Sequence, residues 1–199
     1  MKTAKKEKIF LHICCGPCTL YPLKKLREEG YDVIGYFYNP NIHPFREFRR
    51  RIKALTQVSE QKKLPVIFEK EYRLKEFLRK VIYRENKRCE VCYLMRLEQS
   101  VKKAISEDAD AFTTTLLYSR YQPHKLIKEI AEDLSFRYKI PFLYRDFREG
   151  WEEGQKEAKA LDIYRQPYCG CIFSEQERYD KKLRKKYTAR KKEDKNESS

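Results

Sequence analysis

Residues 8–18 read Lys-Ile-Phe-Leu-His-Ile-Cys-Cys-Gly-Pro-Cys, and this stretch decides the fold. The apolar run 8–13 is the length of a buried strand, and Gly16-Pro17 breaks it. Residues 19–29 then follow a helical pattern, with Gly30 suited to the C′ position. A second strand, 33–38, ends at Asn39-Pro40-Asn41. Strand, helix, strand at this spacing is a parallel crossover. The rest of the chain repeats the alternation. A long basic helix is expected over 44–62, a strand over 64–68, and helices over 71–83 and 91–105. A strand rich in β-branched residues follows at 111–117, then a helix at 123–138 and a fifth strand at 141–144. Helices at 151–160 and from about 174 complete the chain.

This pattern predicts an α/β fold: a doubly wound, mostly parallel five-stranded sheet (Rossmann-like) with helices on both faces and a C-terminal helical extension. Residues 1–175 form the expected α/β catalytic domain, and 176–199 a basic helix with a frayed tail. Such sheets bind their ligands at the carboxyl ends of the strands. That rim would collect Cys14, Cys15 and Cys18 after the first strand and Asn39, Asn41 and His43 after the second. It would add Tyr118, Ser119, Tyr121 and Gln122 after the fourth, and Arg145, Asp146 and Arg148 after the fifth.

The 199 residues carry 45 Lys+Arg against 30 Asp+Glu, a net charge of +15. That excess points to a polyanion such as RNA, or to a heavily charged solvated surface. The 41% hydrophobic content, arriving in blocks, excludes global disorder. No apolar run approaches the roughly 20 residues of a membrane span. No apolar h-region follows the charged N-terminus MKTAKKEK, so a cytoplasmic protein without membrane contact is expected. Seven cysteines are unusual in that compartment, where structural disulfides are disfavoured and metal or redox roles are favoured.

The cysteines fall into three groups: Cys14-Cys15-x-x-Cys18, Cys89-x-x-Cys92 and Cys169-Gly170-Cys171. Two such pairs converging make a tetrahedral sulfur site for zinc or an iron–sulfur cluster. Cys15 and Cys18 with Cys89 and Cys92 would satisfy a structural zinc, but would leave Cys14, Cys169 and Cys171 without a role. A buried packing role suits Cys18 equally. Cys-Gly-Cys suits a reversible disulfide, with Gly170 closing the small ring.

Six motifs in order carry a resemblance. They are LHICCGPC at 11–18, YFYNPNIHP at 36–44, RCEVCYLMRL at 88–97, TTTLLYSRYQ at 113–122, YRDFREGWEEG at 144–154 and YRQPYCGC at 164–171. The set resembles the cobalamin-independent epoxyqueuosine reductases, the QueH family, over residues 9–175. The resemblance implies reduction of epoxyqueuosine to queuosine in the tRNA anticodon loop, by an enzyme with a [4Fe–4S] cluster, an additional iron ion and no cobalamin. By motif, Cys14, Cys15, Cys89 and Cys92 would hold the cluster, and Cys169 and Cys171 would form a redox-active disulfide. Spacing alone pairs Cys15 with Cys18, so the two readings differ by one ligand, and the resemblance leaves Cys18 unassigned. An electron donor protein or other reductant is a required partner.

Asp146 is the first candidate for general acid or metal contact, its alternative being a cap or a partner for Arg145 or Arg148. Asn39, Asn41 and Gln122 suit base edges or the cyclopentenediol ring, and Tyr118 and Tyr121, with Tyr36, Tyr38 and Trp151, suit stacking. The block Arg46, Arg49, Arg50, Arg51 and Lys53 suits phosphates or solvent. Two other functions compete. An ATP-dependent tRNA thiolation-type enzyme would need a Ser-Gly-Gly-x-Asp-Ser-like loop where this chain has Cys-Cys-Gly-Pro-Cys. A zinc-stabilised RNA-binding protein would lack iron and sulfide.

Overall fold

The first strand is apolar on both faces, and it lies inside the sheet with a partner on either side. In a computed structural model, which describes residues 6–182, β1 (Lys8–His12) buries Ile9, Phe10 and Leu11 completely. It pairs in parallel with β2 (Asp32–Phe37) on one side and β4 (Ala111–Thr114) on the other, Phe10 lying between Ile34 and Phe112. β3 (Val66–Phe68) adds to β2, giving the order β3-β2-β1-β4. The helices are α1 (Leu20–Glu28), α2 (Phe45–Lys62), α3 (Leu74–Val81), α4 (Arg88–Ser106), α5 (His124–Tyr138), α6 (Trp151–Ala160) and α7 (Ile172–Tyr179). α4 packs on β1 and β4, with α5 against it, while α1 packs on β2 and against α6.

The sheet has four strands rather than the expected five. Residues 141–144 make only an isolated parallel bridge, Phe112 with Phe142. Pro141 has no N–H to extend a ladder, and its carbonyl accepts from Phe112 N–H at 3.0 Å. The fourth strand is shorter than expected because Thr114 Oγ1 accepts from Leu116 N–H at 3.1 Å and turns Thr115–Tyr118 into a 3-10 helix. The expected basic helix and tail fall mostly beyond residue 182, outside the described residues.

The turn after β1 is packed tightly. A Cβ at Gly16 would sit 2.8 Å from the Ala54 carbonyl oxygen, so only glycine lets Pro17–Thr19 lie against α2. A second, small core joins Phe77 and Val81 of α3, Cys92 and Met95 of α4, and Cys171. Among the described residues no helix is long and apolar enough to cross a membrane.

Candidate active site: a thiol cleft beyond β1 and β4

The end of β1 delivers Cys14 against the end of β4. Its N–H donates to Thr115 Oγ1 at 3.0 Å, and the Thr115 hydroxyl lies 3.3 Å from its sulfur. Cys14 and Cys15 place their sulfurs 3.7 Å apart, and with Cys18 all three lie within 4.8 Å of one another. Cys15 and Cys18 both hydrogen-bond Cys14, and Arg96 adds its field, so the Cys14 thiol is held well below its ordinary range. Burial pushes Cys15 up, and Cys18 is pushed up by its bonds to the other two thiols. The nest therefore favours one thiolate shared by three sulfurs.

Arg96 stands one helical turn after Cys92 and is 2% exposed. Its Nη1 lies 3.7 Å from Cys92 Sγ, its Nε has no partner, and no carboxylate lies within ion-pair reach among the described residues. The ionisable groups nearest it are the thiols of Cys92, Cys14 and Cys169. A guanidinium this buried requires an anion. Thiolates supply it, and they do so best when a metal keeps several of them deprotonated. Gln166 donates from Nε2 to Cys15 at 2.9 Å and lies 3.6 Å from Cys18, so N–H groups surround the sulfurs. Soft sulfur donors ringed by N–H donors fit zinc or an iron–sulfur cluster.

The other four thiols occupy the first turn of α4 and the loop before α7. Cys89 is exposed, whereas Cys92 is buried and its thiol is pushed up to about 12 by that burial. Cys171 caps α7, its sulfur accepting from Ser174 N–H at 3.3 Å. Gly170, at φ +147, adopts a conformation that favours glycine. α2 fixes this loop from beneath. Arg51 donates to the carbonyls of Cys169 at 2.7 Å and Tyr168 at 2.9 Å, and from Nε to Glu47 at 2.7 Å. Tyr164 donates to Glu47 at 2.5 Å, and His43 N–H donates to Gly170 O at 2.7 Å. All seven cysteines are free thiols.

The nest opens into a cleft of about 620 Å³ lined by Cys14, Cys18, Arg96 and Cys169, with Gln122, Gln155 and Gln166. Gln122 donates to Cys169 Sγ at 3.4 Å and accepts from the Tyr93 hydroxyl. Tyr121, 83% exposed, stands edge-on to Trp151 with ring centres 5.7 Å apart, and Arg120 lies over the indole, 5.9 Å from its centroid. Arg165, Tyr168, Arg178 and Ser119 also line the cleft.

The structure places Tyr121 and Gln122 in the cleft, and Cys14 and Cys15 in the nest beside Cys18. It leaves Cys89 and Cys92 outside that triad. Other expected site residues are placed differently. Tyr118 is completely buried and donates to the Trp151 carbonyl at 3.0 Å, because the 3-10 turn points it inward; its ring packs against that of Trp151, centroids 5.1 Å apart. Asn39 is buried and donates to Ile13 O at 2.9 Å, and Asn41 is buried beside Gly170. Asp146 lies outside the cleft lining, caps Phe147–Gly150 and pairs with Arg148. Arg148 holds its carboxyl below the usual range. His43 is buried against Tyr72 and Phe77, and burial lowers it to about 4.

Sequence reasoning did not single out Arg96, Gln166, Thr115 or the inward role of Arg51. Arg96 had a signal: it follows Cys92 by four residues and so shares its helix face. A family model described as "Epoxyqueuosine reductase QueH" matches residues 9–177. The chain belongs to the QueH family. A relative of that name from Dehalococcoides mccartyi is 37% identical over 174 residues, covering 87% of this chain and 96% of its own. Another, from Thermotoga maritima, is 33% identical over 183 residues, covering 87% and 93%. Membership makes this QueH chain an enzyme of the oxidoreductase class. A crystal structure of a predicted subunit of tRNA methyltransferase from Methanocaldococcus jannaschii superposes with a TM-score of 0.52. At 14% identity over 77% of this chain and 74% of that one, it shows a shared fold alone.

Proposed function

We propose that this chain reduces epoxyqueuosine to queuosine in the anticodon loop of tRNA. The carrying observation is a nest of three thiols with a buried, carboxylate-free arginine, opening into a cleft edged by Tyr121, Trp151 and Gln122 in a QueH chain. Loop RNA is recognised through splayed bases stacked on aromatic rings and hydrogen-bonded at their edges. Tyr121 and Trp151 supply the rings, Gln122 and Gln155 the amides, and Arg165 and Arg178 the charge for flanking phosphates.

Deoxygenating an epoxide to an alkene consumes two electrons and two protons and releases water. Cys169 and Cys171 as a dithiol hold two electrons and two protons, so their oxidation to a disulfide balances the reaction. An external dithiol or electron donor protein then returns the pair to its reduced form. Gln122, bonded to Cys169, orients that sulfur toward the cleft, and Arg51 fixes its backbone. A [4Fe–4S] cluster, when bound, supplies low-potential electrons singly. Its proposed holders are Cys14, Cys15, Cys89 and Cys92, with Cys18 the rival to Cys14 because both share the nest with Cys15. An additional iron ion would take a soft site left by this set.

The test is anaerobic turnover of epoxyqueuosine-containing tRNA by reconstituted protein with a chemical reductant. Queuosine product is expected, and its absence overturns the reading. Iron and sulfide analysis of Cys14→Ser and Cys18→Ser settles the ligand set: loss in Cys14→Ser alone is expected, and loss in Cys18→Ser alone overturns the choice. Zinc without sulfide in the native protein would favour the RNA-binding alternative.

A further inference from the structure

The connection between α3 and α4 presents a surface that the thiol cleft does not use. Tyr83 is 95% exposed at φ +63, a left-handed conformation that is uncommon outside glycine. Glu85 holds it there, accepting from Tyr83 N–H at 3.0 Å. Ile82 and Leu94 are exposed beside it. Together with Arg79, Lys80 and Arg84 they line a depression of about 530 Å³, whose one acidic lining residue, Glu98, is paired with Lys102 and accepts from the Tyr138 hydroxyl. Among the described residues none of the three lining cations has a carboxylate within 4.0 Å, whereas Lys102 and Lys103 of α4 and Lys125 and Lys128 of α5 each pair with a glutamate on their own helix or at its end.

The patch and the cleft lie on the same helix, α4: Val91 and Leu94 line the one and Arg96 the other. Arg88, at the start of α4, pairs with Glu177 of α7, and the next residue, Arg178, lines the cleft. Beneath the patch, Met95 lies in the small core that also holds Cys92 and Cys171. An aromatic ring held outward amid unpaired cations matches a polynucleotide: an unpaired base stacks on the ring and phosphates meet the cations. An acidic protein would match the cations through its carboxylates, but these do not stack on the ring, whereas in a polynucleotide base and phosphate come together on each nucleotide.

We propose that this patch docks the part of the RNA substrate outside the reacting nucleoside, with Tyr83 stacking on a loop base and Arg79, Lys80 and Arg84 on backbone phosphates. The proposal rests on the tRNA reading above. The test measures binding of a synthetic anticodon stem-loop RNA to the full, reconstituted chain by fluorescence anisotropy at several salt concentrations. Tyr83→Ala is expected to weaken binding about 5- to 150-fold, the range for one stacked base. Arg79→Gln/Lys80→Gln/Arg84→Gln is expected to lower the slope of log K against log salt by about 2, from three lost phosphate contacts. In both variants KM for modified tRNA should rise while kcat stays within about twofold. Wild-type affinity and slope in both variants overturn the proposal. So does wild-type RNA binding combined with activity lost only when an acidic protein replaces a small-molecule reductant, which assigns the patch to that protein. If the wild-type chain itself does not bind the RNA, the tRNA reading fails, and this proposal with it.

Discussion

Two buried arginines carry opposite electrostatic duties. Arg51 is neutralised within its own helix by Glu47, and its remaining N–H groups hold the carbonyls of Tyr168 and Cys169. Arg51→Met strands the Glu47 carboxylate in the interior. The expected loss is about 3–5 kcal/mol in urea unfolding, with Glu47→Gln/Arg51→Met recovering part of it. A loss under 1 kcal/mol would show that water reaches the pair. Arg96 has no carboxylate and faces thiols. Arg96→Gln keeps a donor and removes the charge. The variant should lose metal to a chelator at least tenfold more readily, while its metal-free form unfolds within a few degrees of the metal-free wild type. Equal retention of metal in the two proteins would separate Arg96 from the thiolate charge.

At the scale of elements, Gly16 shows how close packing positions the site. Its φ of −56 suits any residue, so the constraint is the Ala54 carbonyl alone. Gly16→Ala must move the turn or α2, at a cost of about 1–3 kcal/mol. For a chain of this size that is roughly 2–4 °C in Tm per kcal/mol. Metal content should fall as well, because the turn carries Cys15 and Cys18; an unchanged Tm would mean that α2 yields freely. The crossover geometry was legible because 8–13 and 33–38 are apolar blocks with breakers between them, and the helix 151–160 was read to its boundaries. The fifth strand was not legible as a failure. Whether 141–144 pairs along its length depends on where the chain meets β4, which periodicity does not encode. The cysteine groups were visible as spacing, but the convergence of Cys18 with Cys14 and Cys15 needed the path of the turn. Tyr118 and Tyr121 stand three apart, and only the 3-10 turn sends one inward and leaves the other exposed.

For the whole molecule, the question is whether the metal builds the fold or is added to it. In small zinc modules the metal supplies most of the folding free energy, and its removal unfolds the chain. Here the principal core runs from Ile9 through β2, α2, α4 and α5 to Ile163, and it is large enough to fold without a metal. The thiol nest sits at one edge of that core, with Cys15 and Cys18 among its members. Chelation should therefore leave the far-ultraviolet circular dichroism nearly unchanged. Tm should nevertheless fall, because stripping the metal protonates thiolates and leaves Arg96 buried without its anions. In Arg96→Gln the same stripping should lower Tm less, since no cation is stranded. A wild-type chain that unfolds on chelation would place the metal among the determinants of the fold. Equal Tm losses in wild type and Arg96→Gln would leave the thiolate–metal bonds, rather than the buried charge, as the link between the site and the stability of the sheet.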